Sequence, residues 1–140
     1  MFVEYRSGAQ IYRAYNEAEN RHDLAGTTAL VADNLSVTIN GVASVSSGSD
    51  DERAMDVLYT CYPDYQRRID KIIGEQNEIA VMWTMFGSAN PNIPGLEPLE
   101  VSGVSIVESD GRVMTKAYLF VNSLALDEVL RRAVESTERK

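Results

Sequence analysis

The chain has 140 residues, of which 44% are hydrophobic and 24% charged, as in an ordinary soluble globular protein. This length fits one domain, and no linker rich in Pro, Gly or Ser divides it, so we expect a single domain over residues 1–140. The 13 Lys and Arg against 21 Asp and Glu give a net charge of −8, which argues against nucleic acid and anionic membranes as partners.

The sequence contains no candidate membrane segment or signal peptide. Its longest apolar run, Ile79 to Trp83, is far shorter than the roughly 20 residues that cross a bilayer. We therefore expect a cytoplasmic protein. The single cysteine, Cys61, excludes an intrachain disulfide and a cysteine-based zinc site, and its apolar neighbours favour a buried packing role.

The first 45 residues predict two helices and a strand. Apolar residues at steps of three and four predict an amphipathic helix from residue 4 to about 21. Asp23 is the expected N-cap of a second, shorter helix that ends near residue 33. Alternating residues over 35–39 predict a half-buried strand, which Asn40-Gly41 then turns.

The remaining chain predicts a helix, four strands and a closing helix. Ser49 and Glu52 form a capping-box pattern for the third helix, which Pro63 ends. Asn122 is the expected N-cap of a closing helix through Arg132. Four strands in meander order are predicted over residues 65–73, 79–88, 99–107 and 112–121. Helices separated from an antiparallel sheet indicate an α+β fold.

Four segments carry a resemblance through their order and spacing. They are Asn-Arg-His-Asp-Leu at 20–24, Tyr-Pro-Asp-Tyr at 62–65, Ile-Ala-Val-Met-Trp-Thr at 79–84, and Val-Ser-Gly-Val at 101–104 with Asp-Gly-Arg-Val at 110–113. On these segments the chain resembles the SnoaL-like polyketide cyclases of the nuclear-transport-factor-2-like superfamily over nearly its whole length.

This resemblance implies a particular fold and assembly. The fold would be a curved antiparallel β-sheet that forms a cone-shaped barrel packed on helices, the nuclear-transport-factor-2-like or cystatin-like roll. The mouth of the barrel would admit a hydrophobic polycycle. The resemblance further implies a homodimer formed through the sheet, and neither a metal nor an organic cofactor.

The resemblance also locates a missing catalytic group. Cyclases of this family, and the similar limonene-epoxide hydrolases, use an inward-facing Asp on the last strand, three residues before an Asp that opens the terminal helix. Asn122 matches the second Asp here, and Leu119 stands at the position of the first. Counting from Gly111 instead places Tyr118 there. Neighbouring strand residues face opposite sides, so only one of the two can face the pocket.

Two residues are candidate catalytic groups. Asp64, after a proline and beside tyrosines, would act as a general acid or base if desolvation raised its pKa. Ordinary turn chemistry, with the carboxylate bonded to nearby backbone amides, explains the same residue. Tyr118, if inward, would donate a hydrogen bond to a developing enolate.

An aromatic and Met-rich set predicts the substrate-binding surface, since small-molecule pockets are mostly apolar with a few placed polar groups. A plain hydrophobic core is the alternative explanation for the same residues. The set is Tyr12 and Tyr15 on the first helix, Tyr59 and Tyr62 on the third, Trp83 and Met85 on the hairpin, and Leu119.

Two other polar features have structural explanations that need no catalytic role. His22, the only histidine, lies in a polar helix exit, where a solvated or capping role competes with catalysis. Charged side chains over residues 67–71 alternate with apolar ones and predict a solvated or dimer-facing sheet surface; they are Arg67, Arg68, Asp70 and Lys71.

Two functions follow as hypotheses. The first is a cofactor-free cyclase or isomerase of secondary metabolism that acts on an apolar polyketide or terpenoid-like substrate, with epoxide hydrolase or dehydratase activity as a variant. The second is a non-catalytic module of the same fold that binds a hydrophobic ligand or pairs with another chain, which the missing Asp favours.

Overall fold

A computed structural model of the chain describes residues 5–121 and Arg131. The closing helix predicted over residues 122–132, with its cap at Asn122, lies outside the described residues apart from Arg131. Among the described residues, no helix is long and apolar enough to cross a membrane.

The first two helices begin at the caps that their sequences supply. Helix α1 spans Gly8–Asn20, and its cap, Ser7, accepts a hydrogen bond from the Gln10 amide while the Gln10 side chain accepts one from the Ser7 amide. Helix α2 spans Leu24–Thr28 and has the predicted cap, Asp23. It ends earlier than predicted, because the chain from residue 31 onward pairs as a strand.

Helix α3 spans Gly48–Cys61 and begins two residues before the predicted position. Its N-cap is Ser47, whose hydroxyl accepts a hydrogen bond from the Asp50 amide, so the predicted capping box at Ser49 was wrong. Cys61, at the end of this helix, is buried, in agreement with the packing role expected for it.

The strands form one curved, open sheet in the order β2-β1-β6-β5-β4-β3. The predicted four-strand meander is confirmed, since β3 to β6 pair antiparallel in sequence order. Strands β1 and β6 pair in parallel. The strands are β1 Val31–Ile39, β2 Val42–Val45, β3 Gln66–Glu75, β4 Glu78–Gly87, β5 Leu99–Ser109 and β6 Met114–Val121.

The first hairpin extends the sheet beyond what the sequence predicted. Asn40 and Gly41 both have positive φ, 49° and 83°, as a tight hairpin turn requires. They connect β1 to the short strand β2, which the sequence pattern did not predict. Because β2 pairs only with β1, it forms one edge of the sheet, and β3 forms the other.

Strand alternation separates an inner from an outer face of the sheet. On β4 the buried side chains are at positions 79, 81, 83 and 85, whereas Met82 and Phe86 are exposed. Helix α1 packs against β3 to β6 and α3 against β1 and β2. The fully buried Trp83 lies opposite Gly103 on β5, where the absence of a side chain leaves room for the indole.

A side chain at position 103 would therefore collide with this packing. A Cβ atom on Gly103 would lie 2.6 Å from Trp83 Cη2 and 3.0 Å from the Phe120 carbonyl oxygen. We predict that Gly103→Ala lowers the free energy of unfolding by about 1–3 kcal/mol in urea denaturation, because the core must shift to admit the methyl group. Glu100→Ala on the exposed face of the same strand should change it little. Equal stability of the two variants would contradict this packing.

Candidate active site

A cavity of about 110 Å³ lies between the inner face of the sheet and helices α1 and α3. Most of its lining residues are Val, Leu, Ile, Ala and Met. Seven lining residues carry polar groups: Tyr12, Tyr15, Glu19, Asp51, Tyr65, Arg67 and Ser105. The cavity is thus a largely apolar space with a few polar groups, as small-molecule sites are.

Helical spacing brings the polar groups of two helices to the cavity. On α1, Tyr12, Tyr15 and Glu19 occupy positions i, i+3 and i+7, which share one face. On α3, Asp51 in the first turn lies on the same face as Leu58 two turns later. The two helices therefore place carboxylates at the cavity wall.

The most buried polar contact joins α1 to β3. Arg67 and Glu19, 8% and 1% exposed, form an ion pair with 2.7 Å between Nη2 and Oε1. Arg67 Nε also donates to Asn16 Oδ1 at 3.0 Å, and the Tyr65 hydroxyl donates to Glu19 Oε2. Asn16 and Asn20 both donate to the Arg67 carbonyl oxygen. A buried charge pair is tolerated when its remaining polar atoms are bonded in this way.

Burial and pairing act on the pKa values of this network in opposite senses. Burial raises the pKa of Glu19, although the charge of Arg67 and the hydrogen bond from Tyr65 oppose that rise. For Arg67, burial lowers the pKa, but the combined attraction of Glu19 and of the oxygens of Tyr12, Tyr65 and Tyr15 outweighs it, and the net shift is upward. The guanidinium therefore remains charged at the cavity wall.

The Arg67 guanidinium is also surrounded by aromatic rings. Its central carbon lies 5.2 Å from the centroid of Tyr12, 5.8 Å from that of Tyr15 and 5.9 Å from that of Trp83. Cations attract the electron-rich faces of aromatic rings at such distances. These rings hold Arg67 in one position and shield its charge from water.

A second carboxylate faces the cavity at Asp51. The Tyr15 hydroxyl donates a hydrogen bond to Asp51 Oδ2 at 2.8 Å, and Asp51 Oδ1 has no hydrogen-bond partner among residues 5–121. Burial raises the pKa of Asp51, while the Tyr15 hydrogen bond and the charge of Arg67 oppose the shift. Burial also raises the pKa of Tyr15 well above its usual value. A carboxyl group of raised pKa in an apolar cavity can exchange a proton with a guest.

The predicted substrate-binding residues divide into two groups. Tyr12, Tyr15, Met85 and Leu119 line the cavity. Tyr59, Tyr62 and Trp83 do not line it, and their polar atoms form hydrogen bonds within the protein.

The structure gives the partners of that second group. The Tyr59 hydroxyl donates to the Glu19 carbonyl oxygen, and its ring stacks on His22 at 4.1 Å between centroids. The Tyr62 hydroxyl donates to the Glu97 carbonyl oxygen. Trp83 Nε1 donates to Ser105 Oγ at 2.8 Å. His22 itself bonds through Nε2 to the Tyr65 carbonyl oxygen and is a structural contact of the helix exit.

The two predicted catalytic residues lie away from the cavity. Asp64 is exposed, and Oδ1 accepts a hydrogen bond from the Ser88 amide at 2.7 Å. That bond lowers the pKa of Asp64, so the expected rise in pKa was wrong and the turn explanation fits. Tyr118 pairs with Ile106, which faces outward, whereas Leu119 pairs with the buried Ser105 and lines the cavity. The register thus turns Tyr118 to the outer face.

Sequence reasoning missed the charged part of the cavity. Arg67 was predicted to lie on a solvated sheet surface, and this was wrong: Arg67 is buried, while Arg68, Asp70 and Lys71 are exposed. The sequence did contain one indication of this burial. Tyr65 and Arg67 are two residues apart in an extended segment, so their side chains point to the same face, and the largely apolar ring of Tyr65 favours the inner face. Helical spacing likewise puts Glu19 on the Tyr12 and Tyr15 face.

Asn16 and Asp51 were also missed. Asn16 is polar and stands outside the apolar pattern that predicted α1, but it is buried against Arg67. Asp51 follows another acidic residue at the start of α3, where acidic residues are usual for capping reasons, so nothing local distinguishes it. Within the described part of the chain, no group of three or more His, Cys, Asp or Glu is arranged to hold a metal ion.

A family comparison agrees with this architecture. A model of the SnoaL-like domain matches residues 12–115. The chain belongs to the SnoaL-like domain family. No curated protein matches the chain.

Solved structures share the fold of this SnoaL-like protein at low sequence identity. A proposed polyketide cyclase from Acidithiobacillus ferrooxidans is 16% identical, with a TM-score of 0.72 over 95% of this chain and 99% of its own. AclR from Streptomyces galilaeus, a proposed hydroxylase, is 20% identical, with a TM-score of 0.69 over 89% and 95%. A SnoaL-like polyketide cyclase from Agrobacterium tumefaciens is 14% identical, with a TM-score of 0.68 over 89% and 98%.

Other similar structures include a cystatin-fold protein from Novosphingobium aromaticivorans and a nuclear-transport-factor-2-like protein from Cytophaga hutchinsonii. The predicted fold class is therefore confirmed, as a curved sheet packed on helices that stays open between β2 and β3.

The raised pKa of Asp51 predicts a pH dependence of stability. Because the folded state holds the Asp51 proton more tightly than the unfolded state, its stabilising contribution is full below the ordinary carboxyl pKa of 3.8 and is lost as pH rises through the folded pKa. Asp51→Asn should remove the Asp51 share of this decline, when unfolding free energy is measured in urea from about pH 4 to about pH 8, whereas the share of Glu19, whose pKa is also raised, remains.

Asp64→Asn is the matched comparison, because the contribution of Asp64 to stability depends on pH in the opposite direction. The pKa of Asp64 is lowered, so its contribution is present above the ordinary pKa and is lost as pH falls. A decline with rising pH that survives unchanged in Asp51→Asn would show that Asp51 is not the buried titrating group.

Proposed function

We propose that this SnoaL-like protein is a cyclase or isomerase that moves a proton on an apolar, polyketide or terpenoid-like substrate of secondary metabolism, with Asp51 as the proton carrier. The observation that carries the proposal is the Asp51 carboxyl group, which faces an apolar cavity, accepts a hydrogen bond from Tyr15 and has a raised pKa. A carboxyl group whose pKa is raised in an apolar site can serve as a general acid or base.

The position of Asp51 compensates for the apolar side chain at position 119. Leu119 lines the cavity from β6, where the family's cyclases carry their inward Asp. Asp51 approaches the same space from the opposite wall, on α3. The proposal therefore assigns the acid–base role to the helical wall of the cavity. Orientation of the guest by the apolar walls adds to the rate, because a positioned reactant has already lost its freedom of motion.

A second candidate function is a binding module without turnover, and Leu119 is the observation that favours it. If activity in this fold requires a carboxylate on the last strand, where this chain has Leu119, then the apolar cavity only holds a guest. The two functions differ in one measurable respect, since only the enzyme exchanges protons with its guest.

Substitution of two carboxylates tests the proton carrier. We predict that Asp51→Asn lowers turnover by about 100-fold or more while the fold is retained, because the amide cannot carry the proton. Turnover is followed by NMR as deuterium uptake from D2O next to the carbonyl of small cyclic ketones, and as cyclisation or isomerisation of a polyketide-like panel. In the wild type, kcat/KM should depend on pH through the raised pKa of Asp51.

Asp56→Asn is the matched control, because Asp56 is exposed on the same helix. It should keep wild-type turnover. Asp64→Asn separates this proposal from the sequence-based prediction: loss of turnover in Asp64→Asn with full turnover in Asp51→Asn would refute the role of Asp51. Binding without any exchange in the wild type would leave the binding module.

We also propose that the outer face of the sheet forms a homodimer, as the family resemblance implies. Cross-strand pairing places Met82 on β4, Val104 on β5 and Phe120 on β6 in one row. Met82 and Phe120 are 45% and 52% exposed, and Ile106 beside them is also exposed. Apolar patches of this kind mark protein interfaces.

A buried charge should separate the two copies. We expect Phe120→Glu to convert a dimer to a monomer in size-exclusion chromatography with light scattering, since an unpaired charge in an apolar interface is strongly unfavourable. Thr60→Glu, at an exposed position of α3, adds the same charge elsewhere and should leave the dimer intact. A wild-type monomer, or a dimer that tolerates Phe120→Glu, would rule out this face.

A further inference from the structure

One buried polar atom of the cavity has no partner. The Tyr12 hydroxyl belongs to a residue that is 3% exposed, and it is the buried side-chain N or O atom without a hydrogen bond among the described residues. Burial raises the pKa of Tyr12 to about 12, so the group keeps its proton and remains a donor at physiological pH. Buried polar groups are nearly always bonded, so an unpaired donor at a cavity wall needs an explanation.

Ser105 supplies a second hydroxyl at the same place. Its side chain is buried, lines the cavity and lies close enough to the Tyr12 oxygen to lower the pKa of Tyr12 as a hydrogen-bond donor. Ser105 Oγ accepts a hydrogen bond from Trp83 Nε1, and the Tyr12 oxygen is the acceptor within reach of its own hydrogen. If either hydroxyl turned to donate to the other, one O–H would still lack an acceptor. We call Tyr12 and Ser105 the hydroxyl pair. In either arrangement, one O–H group of the pair remains available to donate a hydrogen bond to a guest.

The electrostatic surroundings favour an electron-rich acceptor at the hydroxyl pair. The Arg67 guanidinium lies 5.2 Å from the Tyr12 ring centroid and stays protonated. Glu19, the nearest carboxylate to that guanidinium, is already bonded to Arg67 and to Tyr65. A guest oxygen that becomes more negative during a reaction would be stabilised by such fixed donors and by a positive charge in a water-poor site.

We propose that the hydroxyl pair is the binding position for the carbonyl oxygen of the guest. The inference rests on the proposed function, because it concerns the same cavity, and it adds the residues that hold the carbonyl group and the end of the cavity where that group binds.

This position gives the guest one orientation. Tyr12 and Tyr15 are one turn apart on α1, with ring centroids 6.4 Å apart, and Tyr15 bonds to Asp51. A carbonyl held by the hydroxyl pair thus brings its neighbouring carbon towards the Asp51 side of the cavity. Asp51 takes a proton from that carbon, the C–H electron pair forms the enolate, and the hydroxyl pair bonds to the enolate oxygen; return of the proton to another carbon completes an isomerisation.

A pair of probes that differ by one oxygen tests the binding position. 1-Indanone and indane share a carbon skeleton, and only indanone carries a carbonyl acceptor. Their dissociation constants are measured by ligand-observed NMR titration for the wild type, Tyr12→Phe, Ser105→Ala and the double variant. We expect the double variant to weaken indanone binding about 3- to 10-fold and to leave indane binding unchanged or tighter, because only indanone loses a hydrogen bond.

Two controls separate this effect from a general loss of structure. Tyr5→Phe removes an exposed hydroxyl that bonds to Asn77, far from the cavity lining, and should change neither dissociation constant. Unfolding in urea supplies the second control: Tyr12→Phe should not raise the unfolding equilibrium constant, whereas Tyr15→Phe, which loses its bond to Asp51, should raise it several-fold.

Each outcome bears on the proposal. Equal weakening of both probes, unchanged indanone binding in the double variant, or a marked destabilisation by Tyr12→Phe would each overturn the carbonyl position. Asp51→Asn distinguishes this failure from failure of the proposed function: if it abolishes proton exchange while the hydroxyl pair has no effect on indanone, only the carbonyl position falls. If neither probe binds the wild type, both proposals fail.

Discussion

The contact between Arg67 and Glu19 is the constraint on which the rest of the site depends. It joins the first helix to the edge strand β3 through an ion pair at 2.7 Å, and the side chains of Asn16 and Tyr65 bond to its remaining polar atoms. A guanidinium buried in this way requires its counter-charge and its aromatic neighbours at fixed positions. The same requirement fixes the face of α1 that carries Tyr12 and Tyr15, and hence which groups line the cavity.

The cavity combines apolar walls from the sheet with polar groups from the helices. Strand β6 contributes the apolar Leu119, and α3 contributes Asp51 from the opposite side. Burial raises the pKa of Asp51, whereas exposure and a backbone amide lower that of Asp64. The two carboxylates show that position relative to the cavity, and not the residue type, decides the direction in which the pKa of a carboxyl group shifts.

Local patterns in the sequence predicted the elements, whereas contacts between distant residues decided the site. The meander from β3 to β6 and the cap at Asp23 follow from periodicity and turn residues alone. The burial of Arg67 could not be predicted, because it depends on Glu19, 48 positions away, while Arg68, which follows it directly, is charged and exposed. Which of Tyr118 and Leu119 faces the cavity depends on strand register. Pairing with β5 fixes that register, whereas counting residues from the neighbouring turn does not.

A double-mutant cycle on Arg67 and Glu19 tests the central claim most directly. Unfolding free energies are measured in urea for the wild type, Arg67→Met, Glu19→Gln and the double variant. We predict that Arg67→Met, which leaves a buried carboxylate unpaired, costs about 3–5 kcal/mol, and that the double variant costs clearly less than the sum of the single variants. Single effects that add to within about 0.5 kcal/mol would show that the two side chains are not coupled and would contradict this account.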